Sequence, residues 1–396
     1  MELTKGRNLK KYIIFIFLAY FGYLLNALYY NGFGTKAPVM MEFYQITSSR
    51  QGLIITTQAI GSFITLLYMA LYGERYNKIN LFAIGLLIFS AGSISLGFAP
   101  PFATVFLCVI ATGVGFSTVD VMLNGMIPEL FPKHRSTLVP LMHAFFGVGA
   151  MTAPIIVTAL VRPEIPSTFS RLFLLVGALA LALVAAFFII SRRIIPETPY
   201  ADMTAVRSKV SENPAEIFKS KNAWMFLIAS ALYFSFQIGL LSWLTSYCKE
   251  VGMDFSTSGT MLTAFYGGSL VMRFCGPLVF KFIAVRKAYM LFSLISATLV
   301  FTALFMESAA AMMALLAAGG FMQGLCVSSL VLMSTAAFPH RVASASSLPF
   351  IASSIAGTTA PLWIGALAEH TGFRIPLLII CGFLALSTLP IFLVRR

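Results

Sequence analysis

Asp120 is the residue from which a function can be argued. Of the 14 Asp and Glu in the 396-residue chain it alone sits deep within a long apolar run, and the others fall in polar stretches or at run ends. A carboxylate in the middle of a membrane helix costs about 2.5–3.5 kcal/mol on insertion scales, so such residues face a cavity or a partner. A carboxyl so placed can load and release a proton as access to it alternates between two sides. The competing reading is a structural acid, hydrogen-bonded to a neighbouring helix. Asn124 lies one helical turn further along the same face, and its amide offers a hydroxyl-rich ligand both a donor and an acceptor. His143, about two turns into the next span, reaches the depth of Asn124 if the two spans run antiparallel. There it could share a proton with Asp120 or bond a solute; the alternative is a satisfied packing residue.

The other polar residues within apolar runs include Asn26, Gln58, Gln237 and Gln323. Asn26, Gln237 and Gln323 join Asn124 as candidate solute contacts. Trp363 offers a flat apolar face on which a sugar ring can stack, against the alternative of an interfacial anchor. Trp243, near the end of its span, reads as an anchor. Arg273 is the one basic residue inside a span; it needs a counter-charge or several carbonyls unless it snorkels, and gating is favoured over solute contact. Gly113-Val-Gly115 and Gly147-Val-Gly149 superficially suggest a nucleotide loop. No strand precedes them, and small residues in membrane helices permit close packing. No Gly-x4-Gly-Lys-Ser/Thr occurs, so ATP is not the power source. The five cysteines, Cys108, Cys248, Cys275, Cys326 and Cys381, fit neither a disulfide framework nor a metal cluster.

These residues are positioned by elements that composition defines. The chain is 59% apolar and 10% charged, with mean hydropathy +0.88. A soluble domain has about 45–50% apolar and about 25% charged residues, so the solvent here is a bilayer, needing about 20 apolar residues per helix. Twelve runs qualify: 12–34, 51–72, 79–99, 103–126, 137–161, 171–191, 223–247, 257–280, 288–306, 309–335, 343–367 and 375–394. The period-2 alternation of a membrane barrel is absent. The basic amino terminus resembles a signal n-region, but the run after it is too long and lacks a clear cleavage site, so a retained first helix is expected. With the amino terminus in the cytoplasm, 20 of the 27 Lys and Arg fall in cytoplasmic segments and six, Lys36 among them, in outer ones. The positive-inside rule therefore places both termini in the cytoplasm. The net charge of +13 is loop charge and carries no nucleic-acid reading.

Residues 192–222 form the longest polar stretch, at mid-chain, and read as a cytoplasmic linker held against anionic lipid heads. It separates a six-helix half at 1–191 from a second at 223–396. An offset of 207 relates the two halves. It carries Gly52 to Gly259, Thr56 to Thr263, Gly61-Ser62 to Gly268-Ser269, Phe131-Pro132 to Phe338-Pro339, and Thr152-Ala153-Pro154 to Thr359-Ala360-Pro361. Five matches at one offset indicate duplication. An even helix number per repeat gives parallel halves, the arrangement of transporters with a midplane site between them.

The sequence resembles the major facilitator superfamily. Gly73-Glu74-Arg75-Tyr76-Asn77-Lys78 is a degenerate form of its G-x-L-A-D-R-x-G-R-R loop, with Glu for Asp, Asn for the second Gly and Ala70 for the opening Gly. Arg273-Phe274-Cys275-Gly276, with Leu278 and Lys281, is similar to the eighth-helix stretch of bacterial fucose–proton symporters. Asp120-Val-Met-Leu-Asn124 is similar to the acid-x-x-x-Asn of those symporters and of sodium-dependent glucose transporter relatives. Gln237 with Trp243-Leu244 and Tyr247 resembles bacterial glucose/mannose symporters, which tend to have Glu where this chain has Gln237. The expected fold is an all-α integral membrane protein of twelve transmembrane helices in two pseudo-symmetric halves. The expected function is proton-coupled alternating-access transport of a small polar solute, with a monosaccharide favoured, in the cell membrane, by a monomer without cofactor; sodium remains open as the ion. Asp120 and His143 would couple the ion, and Asn26, Asn124, Gln237, Gln323 and Trp363 would bind solute among helices 1, 4, 5, 7, 10 and 11. Glu74, Arg75, Arg273 and Lys281 would gate. A proton-driven exporter of drugs or amphipathic metabolites is the competing reading, since 37 Phe and 19 Met suit an adaptable pocket. A non-transporting membrane receptor is the third.

Overall fold

The structure, a computed structural model, describes residues 9–72, 76–131, 134–194, 214–338 and 342–394. Glu74, Arg75 and linker residues 195–213 lie outside the described residues. Helices account for the described elements, as a bilayer demands of a chain whose backbone groups must be satisfied within each segment. They are α1 (Leu9–Tyr44), α2 (Ser48–Tyr72), α3 (Lys78–Gly97), α4 (Phe102–Leu130), α5 (Arg135–Leu160) and α6 (Arg171–Ile194). There follow α7 (Lys221–Glu250), α8 (Phe255–Phe282), α9 (Val285–Ala303), α10 (Ala309–Gln323), α11 (Cys326–Ala337), α12 (Val342–Thr371), α13 (Arg374–Leu386) and α14 (Thr388–Leu393). Eleven spans are long and apolar enough to cross a membrane, with α10–α11 and α13–α14 each forming one. The 28-residue α8 is of membrane length too, but Arg273, Lys281 and its many Ser and Thr residues lower its hydropathy. The fold is the expected one.

Several local expectations are corrected. The first span does not end at 34, because α1 runs on through apolar Ala37–Met40 to Tyr44. Lys36 is therefore not an outer loop charge: it is fully buried inside α1, its Nζ 4.8 Å from the Phe33 ring centroid. The tenth span is interrupted at Gly324–Leu325, between α10 and α11, and the last at Ser387. Helix starts follow ordinary capping chemistry. The Asn77 side chain accepts from the amides of Ile79 and Asn80 to open α3, and Asp254 accepts from the Thr257 amide to open α8. The Thr257 hydroxyl and amide hold the Asp254 carboxyl below the ordinary carboxylate range. Lys78, read from sequence as loop charge, is a buried residue at the start of α3, 2.7 Å from Glu129 near the end of α4.

Contacts divide the chain into two compact units. One comprises Met1–Tyr30, Thr57–Ala150 and Ser167–Ser211; the other comprises Asn31–Thr56, Met151–Pro166 and Glu212–Arg396. Within the first, a Cβ at Gly61 would stand 2.7 Å from the Ile110 carbonyl, and Gly113 has no room for one against that of Gln58. Within the second, the residues 207 later do the same: Gly268 is pressed to Ala317 and Gly320 to Phe265. The second unit also holds a reciprocal pair. Gly52 would meet the Pro361 carbonyl at 2.5 Å and Gly259 that of Pro154 at 3.4 Å, each glycine and each proline the repeat mate of the other. The offset read from sequence is thus a repeat of backbone approaches.

Candidate functional site

In the first unit Asp120 stands on α4 and is bonded to α1. Its Oδ1 accepts from the Tyr23 hydroxyl at 2.7 Å and from Asn124 Nδ2 at 3.0 Å. The same Nδ2 reaches the Asp120 carbonyl at 2.9 Å, the return along one face that the i, i+4 spacing requires. Both side-chain bonds use one carboxyl oxygen, which leaves Oδ2 for a proton or a solute hydroxyl. Asn124 is exposed, and its carbonyl oxygen is the acceptor it presents. Three residues beyond Tyr23, the buried Asn26 donates to the Phe116 carbonyl at 3.3 Å, one turn before Asp120, while its own Oδ1 has no hydrogen-bond partner.

Aromatic rings wall this polar group. Tyr23 packs on Phe146 of α5 with centroids 4.8 Å apart, and His143 stands edge-on to it at 6.1 Å. Phe116 stacks on Tyr30 at 5.3 Å. Gly149 lets α5 approach this closely, since a Cβ there would meet the Leu24 carbonyl at 2.6 Å. His143, exposed on α5, therefore adjoins Asp120 through Tyr23. Asp120, Asn124, Asn26 and His143 are brought into one neighbourhood. Tyr23 was not among the sequence candidates; its signal was the three-residue spacing to Asn26 on one helix face.

The second unit holds the other candidates. Gln323, the buried last residue of α10, donates from Nε2 to the hydroxyl of Tyr233 on α7. Gln237 follows Tyr233 by one turn and is half-buried. Trp363, half-buried on α12, packs against Phe383 of α13 at 5.8 Å. Arg273 and Lys281 are exposed on α8. Trp243 is corrected: it is no interfacial anchor but fully buried, donating from Nε1 to the Pro361 carbonyl at 3.2 Å and stacked on Phe373 at 5.2 Å. Its position near a span end concealed this, because the last turns of α1 and the start of α2 pack on that region within the same unit. There the Ser48 hydroxyl donates to the Gly365 carbonyl at 2.7 Å and the Ser49 amide to Glu369 at 2.8 Å.

The family model described as Major Facilitator Superfamily matches residues 19–283, more than half of the chain. This protein belongs to the major facilitator superfamily. As a member it is a multi-pass membrane transporter of small molecules and not an enzyme. Among similar proteins, the inner membrane transport protein YdiM of Escherichia coli (strain K12) is 23% identical over 364 residues, covering 89% of this chain and 86% of YdiM. Two solved structures share the fold. A bacterial homologue of the human lysosomal transporter Spinster, in an inward-facing and occupied conformation, superposes with TM-score 0.79 at 15% identity, over 98% of this chain and 97% of that one. The nucleoside transporter NupG gives 0.76 at 14% identity, over 96% of this chain and 98% of that one. Neither the superfamily nor these likenesses select the fucose or glucose/mannose branch that the short motifs resemble.

Proposed function

We propose that this superfamily member is a proton-coupled secondary transporter of a monosaccharide, working by alternating access in the cell membrane with both termini in the cytoplasm. The observation that carries the reading is the Tyr23–Asp120–Asn124 group. A single acid in a membrane helix is bonded through one oxygen only, beside a histidine and two amides. Protonation of Asp120 changes it from an acceptor of hydrogen bonds into a donor as well, so its bonding to Tyr23, Asn124 and a solute hydroxyl changes with its charge. Asn26 and Asn124 supply donors and acceptors for sugar hydroxyls, and the Tyr23 and Phe116 rings supply flat faces for the C–H edges of a pyranose. Gln237, Gln323 and Trp363, within the second unit, are its candidate solute-binding residues. No cofactor is needed, since the gradient is the power source. Glu74, Arg75 and Lys281 bias the conformational equilibrium.

A second reading, export of amphipathic compounds, is favoured by one observation: the rings of Tyr23, Tyr30, Phe116 and Phe146 adjoin the acid. Uptake of a radiolabelled sugar panel into proteoliposomes, with and without an inward proton gradient, separates the two. Gradient-stimulated sugar accumulation supports the proposal. Sugars ignored while a lipophilic cation is expelled would establish the exporter instead.

A further inference from the structure

We infer that the second unit carries a carboxylate subsite, in which the Arg273 guanidinium and the Tyr233 hydroxyl, steadied by Gln323, take the two oxygens of an acidic group on the solute. It rests on the transport reading above and narrows it, from neutral sugars to sugar acids and related hydroxy-carboxylates.

The helical register of α8 decides where Arg273 points. Leu262, Tyr266, Ser269 and Arg273 follow one another at intervals of four, three and four residues, which places them on one face. The first three are buried. Val271, Phe274 and Leu278 form the opposite face, and all three are exposed, Phe274 by 70%, as lipid-facing apolar residues are. Arg273 is exposed too, yet it belongs to the protein-facing stripe. The register thus puts Arg273 on the face of α8 opposite Val271, Phe274 and Leu278. Among the described residues no Asp or Glu forms an ion pair with it. A cation retained within a membrane span without a protein counter-ion marks a ligand path.

Donors stand beside this stretch of α8. Tyr233 of α7 is fully buried, its hydroxyl bonded to Gln323. Because that oxygen accepts from the Gln323 amide, the phenol keeps its own proton to give away. The backbone holds the group together. Gly324, immediately after Gln323, lies so near α8 that a Cβ would stand 2.5 Å from the Ser269 carbonyl, one turn before Arg273, and α10 is interrupted at that point. Gln237, one turn beyond Tyr233 on the same face of α7, supplies an amide for a hydroxyl next to the acid group.

A planar guanidinium with one further donor matches a carboxylate, which it binds through two parallel N–H···O bonds. A phosphate monoester carries about −1.5 to −2 charge at neutral pH, more than one arginine neutralises. A carboxylate held at Arg273 and a proton held at Asp120 sum to zero charge, so their joint uptake should not respond to membrane potential.

The test uses the full chain in lipid nanodiscs and matched probes: glucose with glucuronate, galactose with galacturonate, mannose with mannuronate. In at least one pair the acid should bind about tenfold or more tightly than its neutral partner. Arg273→Gln should bring that ratio to about one while Arg273→Lys keeps part of it, because lysine retains the charge and loses the fork. Tyr233→Phe should reduce the preference several-fold, and serves should Arg273→Gln fail to fold. The inference is overturned if no acid binds better than its neutral partner, or if folded Arg273→Gln keeps the preference. Neutral sugars driven by a proton gradient with acids ignored would remove the subsite and leave the transport reading. Acids preferred through Arg273 with no response to a proton gradient would do the reverse.

Discussion

A carboxyl group in a membrane helix must find partners for both of its protonation states, and Asp120 has them on one side only. Tyr23 and Asn124 both bond Oδ1, an arrangement that holds the side chain in place without saturating it. The lone acid and the amide four residues on were legible in the sequence because charge is scarce there and the i, i+4 rule is geometric. Tyr23 was not legible, since a tyrosine in an apolar run looks like any packing aromatic until the opposing acid is in place. Tyr233 was hidden for the same reason, and Lys36 because glycines and Pro38 around it resemble a helix end. Gln323, by contrast, was visible as an amide in a span, though its phenolic partner was not. Losing a hydrogen bond at a buried polar site costs roughly 0.5–1.5 kcal/mol. Gln323→Ala should therefore weaken solute binding several-fold, measured by equilibrium binding, with the pH dependence of transport unmoved. Unchanged affinity together with a displaced pH profile would assign Gln323 to coupling instead.

Helices in this protein meet where glycines let backbones touch, and the contacts recur at one offset. Gly61 and Gly268 occupy equivalent approaches, to Ile110 and Ala317. Overpacking a tight contact costs about 1–3 kcal/mol, so Gly61→Val and Gly268→Val should lower the melting temperature of the purified protein by similar amounts. A loss confined to one of them would show that the repeat is no longer structurally equivalent there. The cap of α8 makes a prediction about pH. Asp254 is held below its ordinary value by Thr257, so its charged form stabilises the fold. That contribution is complete above the unfolded carboxyl value of about 3.9 and is lost as the pH falls through the lower folded value. Asp254→Asn keeps a capping side chain but cannot titrate. The stability advantage of the wild type over it should be flat from about pH 7 to about pH 5 and shrink below about pH 4. An advantage that grows in acid would reverse the sign. Since Asp254 is exposed, salt should reduce the effect.

At the scale of the molecule, the twelve-run pattern and the duplication were legible because a bilayer imposes length and hydropathy on every span. The interruptions at Gly324–Leu325 and Ser387 were not, because a break of one or two residues leaves an apolar run apolar. The asymmetry between repeats was legible as well: Asp120 corresponds to Val327, Asn124 to Val331 and His143 to Phe350. The titratable set is thus confined to the first half, and the second keeps Gln323 where the first has Phe116. The distribution of Lys and Arg makes its own prediction. A reporter fused after Arg396 should be active only if its folding compartment is the cytoplasm, and periplasmic activity would invert the orientation. The central claim is that Asp120 couples proton movement to solute movement. It is tested most directly in proteoliposomes that report internal pH while a transported sugar is added outside. Wild-type protein should move protons with the sugar, whereas Asp120→Asn should move none and still exchange labelled for unlabelled sugar across the membrane. Proton movement by Asp120→Asn at the wild-type rate would contradict the account.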